Sequence, residues 1–214
     1  MSSHRITLTL LAGLIAGSVA PTALGQRFEV GAGGGVSFYN KLTVTGPATV
    51  DAGFKTGYSF NGYLGQLGNR LGGELRYAYA SNEMELKSGG KSFAMTGRSQ
   101  AIHYDLAFYF NDKKAKVRPY ILAGGGMKQY TGSGTTTTVQ PFMSTVVLTN
   151  TSEWKPLVTA GGGIRVVLSP KLHLRAEVLA YMTQAPTKVI TPVTGQLSGW
   201  YFDIVPTVNL SYVW

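Results

Sequence analysis

Residues 172–182 read LHLRAEVLAYM. Leu172, Leu174, Ala176, Val178, Ala180 and Met182 share one parity, and His173, Arg175, Glu177 and Tyr181 share the other. Strict two-residue alternation is the mark of a β-strand with two unlike faces. What the strand does depends on which face meets water and which is sheltered.

The same alternation recurs along the chain, giving eight segments in all. Phe28, Val30, Ala32, Val36 and Phe38 share a face in RFEVGAGGGVSFY. Val50, Ala52, Phe54, Tyr58, Phe60 and Leu64 share one in the next segment, with Asp51, Lys55, Ser59 and Asn61 opposite. Leu71, Leu75, Tyr77 and Tyr79 oppose Glu74, Arg76, Ala78 and Asn82. Ile102, Tyr104, Leu106, Phe108 and Phe110 oppose His103 and Asp105. RPYILAGGGMKQY allows either phase, because its triple glycine erases the middle. Val158, Ala160, Ile164, Val166 and Leu168 oppose Lys155, Thr159 and Arg165, and 172–182 follow. The last segment sets Phe202, Ile204, Val208, Leu210, Tyr212 and Trp214 against Asp203 and Asn209.

The connections alternate in length. QLGNR, NDKKAKV and SPK are short and carry turn residues. NKLTVTGP, EMELKSGGKSFAMTGRS, TGSGTTTTVQPFMSTVVLTNTSE and TQAPTKVITPVTGQLSG are mostly longer and rich in Gly, Ser and Thr. Charged residues make up only 14%, well under the usual quarter of a soluble domain. No apolar run is long enough for a spanning helix, which needs about 20 residues. A chain poor in charge, alternating in short segments, predicts an all-β fold: an eight-stranded antiparallel up-and-down transmembrane β-barrel. A basic start (His4, Arg5), an apolar run from Ile6 to about Ala16 and small residues to Gly25 predict a cleaved signal peptide over 1–25. The barrel then occupies 26–214. There is no cysteine, hence no disulfide and no thiolate metal site. The formal charge of +9 suggests nucleic acid, but export and the scatter of the bases argue against it and for anionic lipid headgroups.

VRPYILAGGGMKQY, QAIHYDLAFYF, LHLRAEVLAYM and the terminal NLSYVW resemble the small outer-membrane β-barrel domains of the OmpA/OmpX-like type. The resemblance covers essentially all of the chain after residue 25. It implies an outer-membrane location in a Gram-negative cell envelope, with long loops outside and both termini periplasmic. It also implies that Trp214, where Phe is commoner, is the insertion signal read by the barrel-insertion machinery during biogenesis.

In hydrocarbon the outer face must be apolar, so the charged residues belong to the lumen. The expected lumen network comprises Asp51, Lys55, Glu74, Arg76, His103 and Asp105 from the first four segments, and Arg165, Arg175, Glu177 and Asp203 from the last three. Such a network plugs a narrow barrel. Phe28, Phe38, Phe110, Phe202, Tyr212 and Trp214 form the expected aromatic girdle. Lys87, Lys91 and Arg98 face the outer rim, as candidate contacts to lipopolysaccharide phosphates, or as a merely solvated edge. Pro206 removes a ladder donor and implies a bulge or a local break. The glycine triplets mark sharply coiled strands or lumen positions opposite bulky side chains.

The expected role is structural or surface-interacting, in a monomer bound to outer-membrane lipid, with no cofactor, metal or enzymatic activity. His103 and His173, with a serine such as Ser59 or Ser211, evoke a hydrolase. The barrel deacylases of lipid A, however, turn their Ser and His toward lipid, and here both histidines read as lumenal. The alternatives are a lipid-modifying enzyme on the same scaffold, a narrow pore, and a soluble lipocalin-like barrel, which requires the reverse assignment of faces.

Overall fold

The computed structural model describes residues 27–134 and 139–214. The segment expected to be a signal peptide lies outside them. Twelve strands follow in chain order: β1 (Arg27–Tyr39), β2 (Lys41–Thr45), β3 (Thr49–Phe54), β4 (Gly57–Leu67), β5 (Leu71–Ser88), β6 (Lys91–Tyr109), β7 (Val117–Gly132), β8 (Val146–Leu148), β9 (Ser152–Val167), β10 (Leu172–Gln184), β11 (Ile190–Pro192) and β12 (Trp200–Val213). Eight of them form a ring. β1 pairs with β4, then come β5, β6, β7, β9, β10 and β12, and β12 returns to β1, every pairing antiparallel. Closure leaves no unpaired edge within the ring, which is the only way a sheet can sit in hydrocarbon.

The two faces divide by chemistry. Leu71, Leu106 and Leu64 point out at 68%, 63% and 59% exposure, whereas Arg76, Arg165 and Arg175 are fully buried inside. A one-residue slip of any stave would exchange the two sets, so the alternation itself fixes register. The ambiguous stretch resolves as even-inward: Arg118, Tyr120, Leu122, Lys128 and Tyr130 face inside and Ile121 and Met127 face out.

One expectation fails here. Asp51 and Lys55 are exposed and are not lumenal, whereas Val50, Ala52 and Phe54 are buried. The cause is a bulge between β3 and β4. Phe54 lies opposite Met84 of β5, yet Tyr58 lies opposite Ser81, so four steps on one side face three on the other. The extra residue inverts the phase between the strands. The kink is pinned by Lys55 N–H donating to the Glu83 carbonyl at 2.8 Å and Asn82 Nδ2 donating to the Lys55 carbonyl at 3.2 Å.

The stretches expected to be loops hold more order than their composition suggests. Residues 84–96 continue the β5–β6 hairpin past the β6–β7 pairing of the ring, closed by Gly89 and Gly90 at φ +54° and +77°, the left-handed pair a tight hairpin turn needs. β2 and β3 form a second hairpin, and β8 and β11 join the last two long connections in a two-stranded sheet. Together these segments build an apolar core over the long-loop mouth, from Val44, Phe54, Leu86, Val146, Ile190 and their neighbours. At Pro206 the β1–β12 ladder is interrupted but keeps its register, with Gly35 opposite Thr207 and Phe38 opposite Ile204: a local break and not a bulge.

A closed ring of this kind resists detergent until heated. The folded protein in dodecyl sulfate is expected to run at a different gel position before and after boiling; identical mobility would count against a stable barrel.

Candidate functional site: the barrel interior

Every stave of the ring contributes a side chain to the interior near the short-turn end. Glu29 comes from β1, Tyr63 from β4, Glu74 and Arg76 from β5 and Tyr109 from β6. Tyr120 comes from β7, Arg165 from β9, Arg175 and Glu177 from β10, and Asn209 from β12. The alternation delivers them: each sits at the inward parity of its strand.

The charges balance as guanidinium against carboxylate. Arg175 Nη1 donates to Glu74 Oε2 at 2.7 Å and its Nη2 to Glu177 Oε2 at 2.8 Å. Arg76 Nη2 donates to Glu74 Oε1 at 2.6 Å, and its Nη1 donates to Glu177 Oε1. Arg165 Nη2 donates to Glu29 Oε1 at 2.5 Å. Glu177 also accepts from Tyr120 OH at 2.5 Å and Asn209 Nδ2 at 2.9 Å. The Arg175 and Arg76 guanidinium groups lie 4.5 and 5.0 Å from the Tyr63 ring. A buried ion is tolerated only when opposite charge and hydrogen bonds replace the water it has lost, and here both do.

Inward glycines make room for these long side chains. Gly163 lies opposite Glu177, and a Cβ there would stand 2.7 Å from the Glu177 Cβ. Gly124 lies opposite Asp105, and a Cβ there would stand 2.3 Å from Asp105 Oδ1. In these two triplets, then, glycine faces a bulky polar partner across the ladder.

Asp105 does not join the arginine cluster. It sits apart, with His103 Nδ1 at 2.9 Å from its Oδ2 and Thr159 donating to its Oδ1. Asp203 forms a third group, nearer the long loops, with Lys128 Nζ at 2.8 Å. Lys128 is buried, donates to Tyr39 OH at 3.3 Å, and lies 4.9, 5.1 and 5.4 Å from the rings of Tyr39, Tyr130 and Tyr181. The sequence reading missed Lys128, because the neighbouring glycines hide the phase of its strand. It also missed Arg118 as an interior site, whereas the inward parity of Glu29 within its segment already placed that carboxylate on the inner face, where it is buried.

Outside, Phe28, Phe110, Tyr212 and Trp214 are exposed at the short-turn end, and Phe38 and Phe202 at the long-loop end. Phe28 and Tyr212 stack on Trp214 with ring centroids 6.4 and 6.3 Å away. Lys87, Lys91 and Arg98 are exposed on the β5–β6 hairpin, with Lys87 Nζ held by Glu85 at 2.9 Å. His103 and His173 are both buried inside. No cluster of three or more metal-ligating side chains occurs among the described residues.

The family pattern described as outer membrane protein beta-barrel domain matches residues 9–191. Among solved structures, the chain is similar to Neisserial surface protein A at 13% identity, with 86% of this chain and 96% of that one covered and a TM-score of 0.54. It is similar also to a major outer membrane protein from Thermus thermophilus at 13% identity, with 89% and 100% covered and a TM-score of 0.52. Identities this low speak to the fold alone. No curated protein matches.

Removing one member of the arginine cluster strands its partners. Glu177→Ala leaves Arg76 and Arg175 short of a counter-ion and is expected to cost about 3–5 kcal/mol, read from urea unfolding in lipid vesicles. Asp51→Ala, at an exposed site where Thr43 Oγ1 donates to the carboxylate at 3.0 Å, is expected to leave the midpoint unchanged. Equal effects would contradict the assignment of faces.

Proposed function

The chain belongs to the outer membrane protein beta-barrel domain family, and from that premise we propose that it is a closed outer-membrane barrel with a structural or surface-interaction role and no enzymatic activity. The observation that carries this reading is the filled interior. Paired arginines and glutamates cross the ring near one end, Lys128 and Asp203 pair farther along, and an apolar core covers the long-loop mouth. Side chains that span an eight-stranded ring leave little room for a continuous water path.

In this reading the long connections face outside the cell and both termini are periplasmic, as short turns at one rim and long loops at the other suggest. The aromatic residues at both rims serve as interfacial girdles, and Trp214 is the insertion signal for the barrel-insertion machinery. Lys91 and Arg98 make no ion pair among the described residues, so they carry more of the proposed contact to lipopolysaccharide phosphates than Lys87 does. The protein acts as a monomer in outer-membrane lipid. The described parts of its long connections, folded into hairpins and a small sheet, are the surface offered to partners.

The competing readings meet specific obstacles. A lipocalin-like barrel needs apolar side chains inside and charges outside, the opposite of the observed division. A lipid-modifying enzyme needs a histidine near the lipid face, and His103 and His173 are buried inside the ring. A narrow pore needs a path past fully buried Arg76, Arg165 and Arg175.

The test is electrical. Purified, refolded protein in a planar bilayer is expected to show no steady conductance above the bare membrane at neutral pH. A sustained ohmic channel would contradict the closed reading and favour the pore.

A further inference from the structure

At the short-turn mouth the ring opens into a pocket of about 420 Å³ lined by Arg27, Leu67, Gly68, Lys113, Lys114, Arg118 and His173. Its polar lining is basic throughout and includes no carboxylate. That sets it apart from the arginine cluster deeper inside, where each guanidinium has its glutamate.

Arg118 is the informative member. It is buried at 3% exposure and makes no ion pair among the described residues. Its Nε donates to the Asn111 carbonyl at 3.3 Å, and its Nη2 donates to the carbonyls of Gly68 and Asn69 at 3.3 and 2.6 Å. Its guanidinium lies 4.1 Å from the Tyr109 ring. These contacts fix its position without neutralising it. A buried cation held this way is an incomplete ion pair.

The same contacts tie two turns together. Arg118 grips the β4–β5 turn from the base of β7, and the Lys113 N–H donates to Asn69 Oδ1 at 3.1 Å. Asp112, the acid in the β6–β7 turn, is drawn away to Arg70 at 3.1 Å. His173 Nδ1 lies 3.1 Å from Arg165 Nη1, which donates to it and leaves the Nε2–H as the ring's remaining donor. The pocket therefore gathers two turn lysines, a fixed guanidinium and an imidazole, with no carboxylate among its lining residues. Several cationic residues lining one small volume exceed what a single carboxylate neutralises, and they suit an oxyanion of higher charge.

We propose that this mouth is a binding pocket for a multivalent phosphate-class oxyanion, either free in solution or carried on a lipid headgroup. The inference stands on the pocket alone and holds whether or not the lumen conducts.

The probe is inorganic pyrophosphate, titrated calorimetrically into the folded full-length protein in a non-ionic, phosphate-free detergent. Saturable binding is expected, weakened about tenfold or more in Lys113→Gln/Lys114→Gln, since each charge-assisted bond contributes about a decade of affinity. Both lysines lie in an exposed turn, so the variant keeps the barrel, which the unheated gel position verifies. Lys87→Gln/Lys91→Gln, at the far end, is expected to bind as the parent does. No saturable binding, binding unchanged in Lys113→Gln/Lys114→Gln, or equal weakening in Lys87→Gln/Lys91→Gln would overturn the proposal. Native mass spectrometry after purification from phosphatidic acid, whose phosphomonoester headgroup carries up to about two charges, separates the two sources. A retained lipid lost in Lys113→Gln/Lys114→Gln assigns the pocket to headgroups. Pyrophosphate binding with no retained lipid assigns it to a free anion.

Discussion

Hydrocarbon offers no partner to a charge or to a peptide group, and the rest of the molecule follows from that. The ring of strands closes because an open edge would leave peptide groups unpaired in lipid. The charges turn inward because a basic side chain facing lipid at midplane costs roughly 2–4 kcal/mol. Once inside, in the space left by an eight-stranded ring, they are too close together and too far from water to stay unpaired. Arg76, Arg165 and Arg175 therefore meet Glu29, Glu74 and Glu177. The inward glycines follow in turn, since a Cβ at Gly163 would collide with the very side chain the cluster needs.

The two mouths obey different rules, because water reaches both. Above the ring the long connections do not stay loose. The bulge at Lys55 turns Val50, Ala52 and Phe54 inward, where they join side chains of the other long connections in an apolar core like that of a soluble domain. At the opposite mouth the short turns cannot build such a core. They instead gather basic groups around Arg118, whose contacts are backbone carbonyls and an aromatic ring. One end is closed by apolar packing and the other stays open and cationic, so the interior has a direction even though its central charges cancel.

Much of this was legible in the sequence, for a definite reason. Within the ring, side-chain period and burial are locked together, so parity alone assigned Glu74, Arg76, Arg165, Arg175 and Glu177 to one environment. What parity cannot carry is a change of phase. The extra residue near Lys55 is invisible as a pattern, because Val50 to Phe54 and Tyr58 to Leu64 share even numbering while facing opposite ways. Gly124–Gly126 likewise hid Lys128, a buried cation as much a part of the interior as Asp203. The strand extensions at 84–88 and 91–96 read as loop, since above the membrane a hairpin is free to show polar residues on its outer face. Tertiary contact, too, lies beyond alternation: nothing in spacing tells that Asp105 stays apart with His103 and Thr159.

The central claim is that neighbouring residues on one strand live in different solvents. Val178 is 49% exposed on the outside of β10, and the adjacent Leu179 is fully buried inside. Methyl-labelled protein in lipid nanodiscs tests this by cross-relaxation from lipid acyl-chain protons. Val178, Leu106 and Val208 should receive strong transfer, and Leu179 and Leu122 none. Transfer to Leu179 and Leu122, with silence at Val178 and Leu106, would contradict the account at its root.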